Sequence, residues 1–415
     1  MVARVLRPEG KGFLFLDSHP TGCALTVDEM ITEVGADVAA GSASAARAGS
    51  AGPTVLIIGC SAGYGLAAAV AGLFGYRGRD VGVCYERPAT ARRSASAGWY
   101  RVATLADRAA AGGLQFAAVN GDCFDPAVRA DLLDLTGRLL GPVDVLIYSV
   151  AAPRRTDPVT GAVYHSVVKP VGAAYRARNV AFADGIVLRD VTVEPATEAE
   201  IESTVAVMGG ADWSEWVGDL AARGMLGAGF QTVALTYVGS ELTAPIYRQG
   251  TIGRAKDDLE ATARRLTAGA LAAAGGTAVT SANCAAVTMS SLAIPGISLY
   301  LSLLRAAAGD RAQSPVRQSM RLWDHLCGRQ AAQADRHGRL RLDDWELAAD
   351  LQRDITARWS QPAERLLAGS ADLDWFRRQI WRLYGFDVTG VDYAMPVEVD
   401  VPWPTPTAAA ESAEW

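Results

Sequence analysis

An α/β protein of the Rossmann type, a doubly wound parallel sheet with helices on both faces, is what this sequence predicts, on three observations. A continuous apolar run, T-V-L-I-I (54–58), feeds a glycine-rich loop and then an alanine-rich helix; such a run suits a parallel strand covered on both faces. Strand-like and helix-like segments then alternate as far as residue 150, which is the pattern of a parallel sheet. Half of the 415 residues are hydrophobic and a fifth are charged, the balance of a soluble globular chain long enough for a sizeable core. The expected layout is a single domain over 1–415, with a Rossmann core at 50–305, insertions, and a helical C-terminal extension at 306–415 that covers the sheet.

In chain order, residues 13–16 (F-L-F-L) read as a short strand and Val27–Val38 as an amphipathic helix, with His19-Pro20 in a structural turn. An Ala/Gly/Ser-rich stretch at 39–53 reads as a surface linker. After the first strand the glycines fall at 59, 63 and 65. Glycine there permits a tight turn and lets backbone approach a pyrophosphate at the helix N-terminus. A second strand, V-G-V-C-Y, ends at Glu86, about twenty residues beyond the last glycine, where a carboxylate reads a ribose 2′-hydroxyl and repels a 2′-phosphate. NADH is therefore favoured over NADPH.

A helix near Val102–Ala111 leads to strand Q-F-A-A-V and Asn120-Gly121-Asp122-Cys123. Asp122 either accepts from an adenine amino group or merely starts a turn. Asp125-Pro126 caps the next helix, and strand V-D-V-L-I-Y ends in small residues, Ser149 to Ala152, which suit the crevice where a dinucleotide lies. Arg154 and Arg155 are either phosphate contacts or solvated surface. Thr197 and Glu200 form a capping box, and Asp212 with Glu215 does the same for the following helix. Strand Q-T-V-A-L-T-Y-V delivers Tyr237. Leu259, Ala263, Leu266 and Ala270 recur at helical spacing, and 285–295 reads as a strand, a turn and a pocket-facing helix.

Composition excludes several functions. A formal charge of −6 gives no electrostatic reason for nucleic acid or an anionic membrane surface. The six cysteines and four histidines show no metal-ligand spacing, so no metal is expected. No apolar N-terminal segment resembles a signal peptide, which points to the cytoplasm.

The segment Tyr237–Lys256 carries the chemistry. A phenol can stabilise and protonate an oxygen that gains negative charge, and a nearby ammonium holds the cofactor ribose and tunes the phenol. Tyr247 and Lys256 stand nine positions apart, about 900° of rotation on a continuous helix. Gly250 and Gly253 between them place the tyrosine on a loop and the lysine on the helix that follows.

With these pieces assembled, the chain resembles the FabV-type trans-2-enoyl-ACP/enoyl-CoA reductases, enlarged relatives of the short-chain dehydrogenases. The resemblance rests on the 59–66 loop, Ala97-Gly98-Trp99-Tyr100, Asn120-Gly121-Asp122, Val207-Met208-Gly209-Gly210, Pro245-Ile246-Tyr247, Arg339 to Trp345, and the Tyr-x8-Lys spacing. It implies Tyr247 as the catalytic tyrosine, Lys256 as the cofactor-contacting lysine and Tyr237 as a contact to the thioester carbonyl. It also implies that Gly59, Cys60, Ser61, Ala62, Gly63, Tyr64, Tyr85, Glu86, Asp122, Cys123, Val150, Ala151 and the strand around Ala286, Val287 and Thr288 hold the dinucleotide. The implied partner is an acyl thioester on CoA or acyl carrier protein, and the implied state a monomer.

Ala244 and Arg248 stand where many relatives carry aromatics, and Met289-Ser290 also departs from the pattern. These positions are expected to shape the substrate wall. They motivate a second reading, a biosynthetic reductase of the same fold acting on a non-fatty enoyl, enone or carbonyl compound. A third reading, a nucleotide sensor without catalysis, conflicts with the joint presence of Tyr237, Tyr247, Lys256 and the glycine loop.

Overall fold

In the computed structural model, which describes residues 3–40, 52–182, 185–330 and 334–405, seven parallel strands form one sheet. They are β1 (Thr54–Ile58), β2 (Arg79–Cys84), β3 (Phe116–Asn120), β4 (Val143–Tyr148), β5 (Leu226–Tyr237), β6 (Thr277–Asn283) and β7 (Arg339–Arg341). The order is β7-β6-β5-β4-β1-β2-β3. The chain thus starts at the middle and winds outward both ways, and the switch falls between β1 and β4. Ligands of open α/β sheets sit at such a switch, beyond the strands' C-terminal ends.

Alternation of apolar side chains across the pleat builds two layers. Val55, Ile57 and Val145 face α1 (Pro20–Ala39), α2 (Gly63–Tyr76), α3 (Ala97–Ala111) and α9 (Pro315–Leu326). Leu56, Ile58 and Leu146 face α4 (Pro126–Leu139), α6 (Ala211–Ala222) and α7 (Thr251–Ala268). Each fully buried aliphatic side chain contributes about 1.5–3 kcal/mol. The alanines and glycines of α2 have a packing reason. Trp323 of α9 lies against Gly72, where a Cβ would come 2.7 Å from its ring, and its Nε1 donates to Ala68 O at 2.9 Å. A third apolar cluster closes the C-terminal end of the sheet. It joins Ile246, Tyr247 and Ile252 to α8 (Ile297–Ala308), α10 (Ala349–Trp359) and α11 (Leu373–Leu383). The helix α5 (Glu198–Met208) begins at the expected Thr197/Glu200 capping box.

Several expectations need correction. F-L-F-L gives only Leu14–Phe15, paired with Gly10–Lys11 outside the main sheet. Helix α1 starts seven residues before Val27, because His19 Nδ1 accepts from Gly22 N at 3.2 Å and Pro20 occupies the first turn. Asp212 caps nothing: the N-cap of α6 is Gly210, without a side-chain cap. Asp212 instead turns inward and accepts from Tyr148 Oη at 3.0 Å and Trp216 Nε1 at 3.1 Å. Ala270 lies past the end of α7. Residues 284–288 are not a strand; the strand is β6, which ends just before them. Finally, 306–415 is more than a cover, since it supplies β7 to the sheet edge. Most of the 39–53 linker and the last ten residues lie outside the described residues.

Candidate active site

The glycine loop is shaped by contacts that leave no room for side chains. Gly59 has φ +93°, and a Cβ there would lie 2.2 Å from Ser149 O. A Cβ on Gly65 would lie 1.9 Å from Gly59 O. The loop therefore folds down onto the end of β4, and α2 starts with Ala62 as its N-cap and no capping side chain. Its first N–H groups remain available to an anion, with the positive end of the helix dipole behind them.

Glu86 is held from three sides. Its N–H donates to Asn120 Oδ1 at 2.7 Å, Asn120 Nδ2 returns a bond to Glu86 O at 2.9 Å, and Ser61 Oγ donates to Glu86 Oε1 at 2.6 Å. A Cβ on Gly98 would meet that carboxylate at 2.0 Å, which explains the glycine at the start of α3. Asp122 closes a turn by accepting from Phe124 N at 3.0 Å and also lines the cleft.

The cleft beyond these loops holds about 670 Å³. Among the expected dinucleotide residues, Gly59, Ser61, Ala62, Gly63, Tyr64, Tyr85, Glu86, Asp122, Cys123, Val150, Ala151, Ala286 and Thr288 line it. Tyr85, 74% exposed, offers an open aromatic face at its rim. Two residues do not belong. Cys60 is fully buried, its sulfur under Gly82, and Val287 faces a second cavity of about 420 Å³ behind the 285–289 segment. The residues that are present fit a dinucleotide: a cradle a Cβ would fill, free helix N–H groups, a fixed carboxylate and an unpaired cation.

That cation is Lys256. It sits in the second turn of α7, 6% exposed, lines the cleft, and has no acidic partner among the described residues. Burial first, then the charge of Arg248, pushes its ammonium down to about 8, against the pull of Glu260. Tyr247 precedes α7 in the turn at 241–249, as the glycines between it and Lys256 implied. A Cβ on Gly253 would lie 1.8 Å from Arg248 O, so glycine lets the turn pack directly onto the helix.

The two tyrosines meet edge to face, with ring centroids 5.0 Å apart, and both line the cleft. Their hydroxyls differ. Tyr237 Oη donates to Glu346 Oε1 at 3.2 Å, whereas the Tyr247 hydroxyl has no hydrogen-bond partner among the described residues. Burial raises both phenols, so each keeps its proton at neutral pH.

Two of the four residues expected to shape the substrate wall, Ala244 and Arg248, lie elsewhere. Arg248 turns back on α7, with Nη2 2.6 Å from Asp257 Oδ1 and Nη1 3.2 Å from Glu260 Oε1. Neither it nor Ala244 lines the cleft, whereas Met289 and Ser290 do. Arg154 lines the mouth, while Arg155 is buried and paired with Glu215 at 2.9 Å. Sequence reasoning missed Asn120, which locks Glu86, and Glu346. The N-G-D motif hinted at the first; nothing local marks the second.

Comparison with known proteins finds one enzyme family along the chain. Residues 93–327 match the family described as the trans-2-enoyl-CoA reductase catalytic region, and 5–91 match the NAD(P)H binding domain of trans-2-enoyl-CoA reductase. Residues 334–397 match an enoyl reductase FAD binding domain. That segment does not fit a flavin nucleotide: β7 runs straight into Asp343 and Asp344, which oppose a pyrophosphate, and no glycine loop follows it. An enoyl-acyl-carrier-protein reductase (NADH) of Streptomyces avermitilis is 51% identical over 401 residues, 96% of this chain and 100% of the relative. One of Coxiella burnetii is 39% identical over 99% of this chain and 100% of its own. The trans-2-enoyl-CoA reductase of Clostridium acetobutulicum in complex with NADH superposes with a TM-score of 0.88 at 31% identity, covering 95% of this chain and 98% of that one. That of Treponema denticola with NAD gives 0.87 at 32%, with the same coverage.

Proposed function

This chain belongs to the trans-2-enoyl-CoA reductase family, and from that premise we propose that Tyr247 is the hydrogen-bond donor to the reacting thioester and Lys256 the ribose anchor. The activity is the NADH-dependent reduction of the C2=C3 double bond of a trans-2-enoyl thioester to the saturated acyl thioester. When bound, NADH supplies the hydride that reaches the β-carbon. As electrons shift, the thioester oxygen becomes an enolate, and a positioned O–H stabilises that oxygen more than the ground-state carbonyl. The α-carbon then takes a proton and the saturated product results. The observation that carries this assignment is a pair of groups in one cleft without partners among the described residues, the Tyr247 hydroxyl and the Lys256 ammonium.

The glycine loop and the N-terminus of α2 would receive the pyrophosphate, Glu86 the adenosine ribose, and Lys256 the nicotinamide ribose. An NADH-consumption assay against crotonyl-CoA, longer enoyl-CoAs and matched enoyl-carrier thioesters tests the whole reading; inactivity on all of them overturns it. Repeating it with NADPH tests Glu86. Glu86→Ala should raise the NADPH:NADH efficiency ratio roughly 10- to 100-fold by removing a carboxylate–phosphate repulsion, and an unchanged ratio would show that another group selects the cofactor.

Lys256 gives a pH prediction. Its ammonium lies below the ordinary lysine range, so the charge is present below about 8 and lost above it, where a solvated lysine would still be charged. NADH binding, read by fluorescence titration, should weaken as pH climbs through that point. Affinity constant up to pH 10 would show that loss of the Lys256 charge does not limit cofactor binding in that range.

The reading of a non-fatty acceptor loses the support of Ala244 and Arg248, both outside the cleft, and keeps only that of Met289 and Ser290, which line it. The strand β7 and the placement of Glu346 support treating the chain as a single domain. We keep with it the expectation of a monomer, which equilibrium sedimentation tests. No helix among the described residues is long and apolar enough to cross a membrane.

A further inference from the structure

Glu346 follows β7, 109 positions after Tyr237, and is fully buried. A buried carboxylate is costly unless it is paired with a cation or neutralised. Glu346 has no cationic partner among the described residues. It collects three donors instead: Ala285 N to Oε2 at 2.6 Å, Tyr300 Oη to Oε1 at 2.7 Å, and Tyr237 Oη to Oε1 at 3.2 Å. Gln352 Nε2 steadies the cluster from behind, donating to Tyr300 Oη at 3.1 Å and to Glu346 O at 2.7 Å. A structural role alone would be met by glutamine, whose amide carries no charge to desolvate.

A phenol has one proton to give. While Glu346 is ionised, the Tyr237 proton lies on the bond to Oε1, and the hydroxyl can turn only lone pairs toward the cleft. Once Glu346 is protonated, its own O–H can donate to Tyr237 Oη, and the phenol proton is released to point at the substrate. We propose that Glu346 is a positioning residue that decides whether Tyr237 offers the thioester oxygen its proton or only its lone pairs. The switch takes up one proton from solvent, which forms the Glu346 O–H; one hydrogen bond then reverses direction and another forms. The proposal rests on the enoyl-thioester reading above, with Tyr247 as the constant donor and Tyr237 as the conditional one.

The surroundings allow both states. Burial lifts Glu346 to about 7, against the pull of the Ala285 N–H and the two phenols and with a push from Asp343. Asp343 is itself bound by Arg341, 2.7 Å away. The other titratable groups that feel Glu346 are Tyr64, Tyr237, Tyr300 and Cys284, all raised and neutral through the same range. Glu346 is thus the one member of the cluster poised to change charge near neutrality.

The test is kcat against pH, at saturating NADH and crotonyl-CoA, for the wild type, Glu346→Gln and Tyr237→Phe. Saturation removes the contribution of Lys256 to cofactor binding. Wild-type kcat should fall about tenfold per pH unit above a break near neutrality, down to a floor set by Tyr247 alone. In Glu346→Gln the amide oxygen can still accept from Ala285 N–H and the amide always donates to the phenols. Its profile should be flat across that break, and at pH 8.5 it should exceed the wild type roughly tenfold or more. Tyr237→Phe should sit on the floor with no break. A wild-type break retained in Glu346→Gln overturns the proposal. So does a break retained in Tyr237→Phe, which keeps the test decisive should Glu346→Gln misfold. Either failure, with crotonyl-CoA still reduced by the wild type, removes the switch and leaves the enoyl-reductase reading standing.

Discussion

Tyr247→Phe is expected to lower kcat roughly 10²–10⁴-fold while NADH affinity stays nearly unchanged. The substitution removes one oxygen and keeps the ring, which packs on Tyr237 at 5.0 Å and belongs to the apolar cluster with Ile246 and Ile252. The hydroxyl bonds to no described residue, so its loss leaves no protein group unsatisfied and the fold should be indifferent. The proposed chemical role is different, because of the two tyrosine hydroxyls that meet in the cleft it is the one whose proton is not committed to a described residue. Single-turnover reduction of crotonyl-CoA, alongside a fluorescence titration with NADH, separates chemistry from binding. Wild-type turnover by Tyr247→Phe would transfer the donor role to Tyr237. Equal losses in turnover and NADH affinity would instead mean that the tyrosine shapes the cofactor site.

Asp212→Ala should destabilise the fold by roughly 3–5 kcal/mol, the cost of removing one member of a buried charged network. Asp212 is 1% exposed and receives Tyr148 Oη, Trp216 Nε1 and, at 3.4 Å, Arg129 Nη1. Arg129 also reaches Glu215 at 2.8 Å and Asp219 at 2.9 Å, so it keeps partners in the variant; Tyr148 and Trp216 are left with buried donors and no acceptor. Tyr148 ends β4 directly before Ser149 and Val150, so loosening it also loosens the cofactor wall, and weaker NADH binding should accompany the lower denaturation midpoint. A change below about 1 kcal/mol would show that water replaces the carboxylate there.

Where the sequence was legible, the reason is local. Thr54–Ile58 and the glycines after it announce a buried parallel strand and a backbone-lined anion site, because those features depend on neighbours a few positions away. The Thr197/Glu200 box and the Asp125-Pro126 cap are likewise complete within one turn. Glu86 could be placed by its distance from the last glycine, though not its fixing by Ser61, Asn120 and Gly98, which come from three different segments. Asp212 looked like a cap because its type and position allow one; burial beside Tyr148, Trp216 and Arg129 offered it stronger partners, and the N-cap passed to Gly210. Arg248 and Ala244 are expected on the substrate wall because relatives carry aromatics there, but the direction of a side chain leaving a tight turn is decided by what surrounds it, for Arg248 by Asp257 and Glu260.

The same division runs through the active site. Sequence by itself determined that a tyrosine and a lysine too far apart for one helical face would sit across a turn–helix junction, since Gly250 and Gly253 mark that junction. It could not determine which tyrosine keeps a free proton. That was decided by tertiary structure, which brings Glu346 from beyond the sheet's edge strand to the hydroxyl of Tyr237 and leaves that of Tyr247 alone. A hydrogen bond between residues 109 positions apart leaves no periodicity or spacing in the chain, because it exists only once the sheet has closed and the C-terminal strand has been added to its edge.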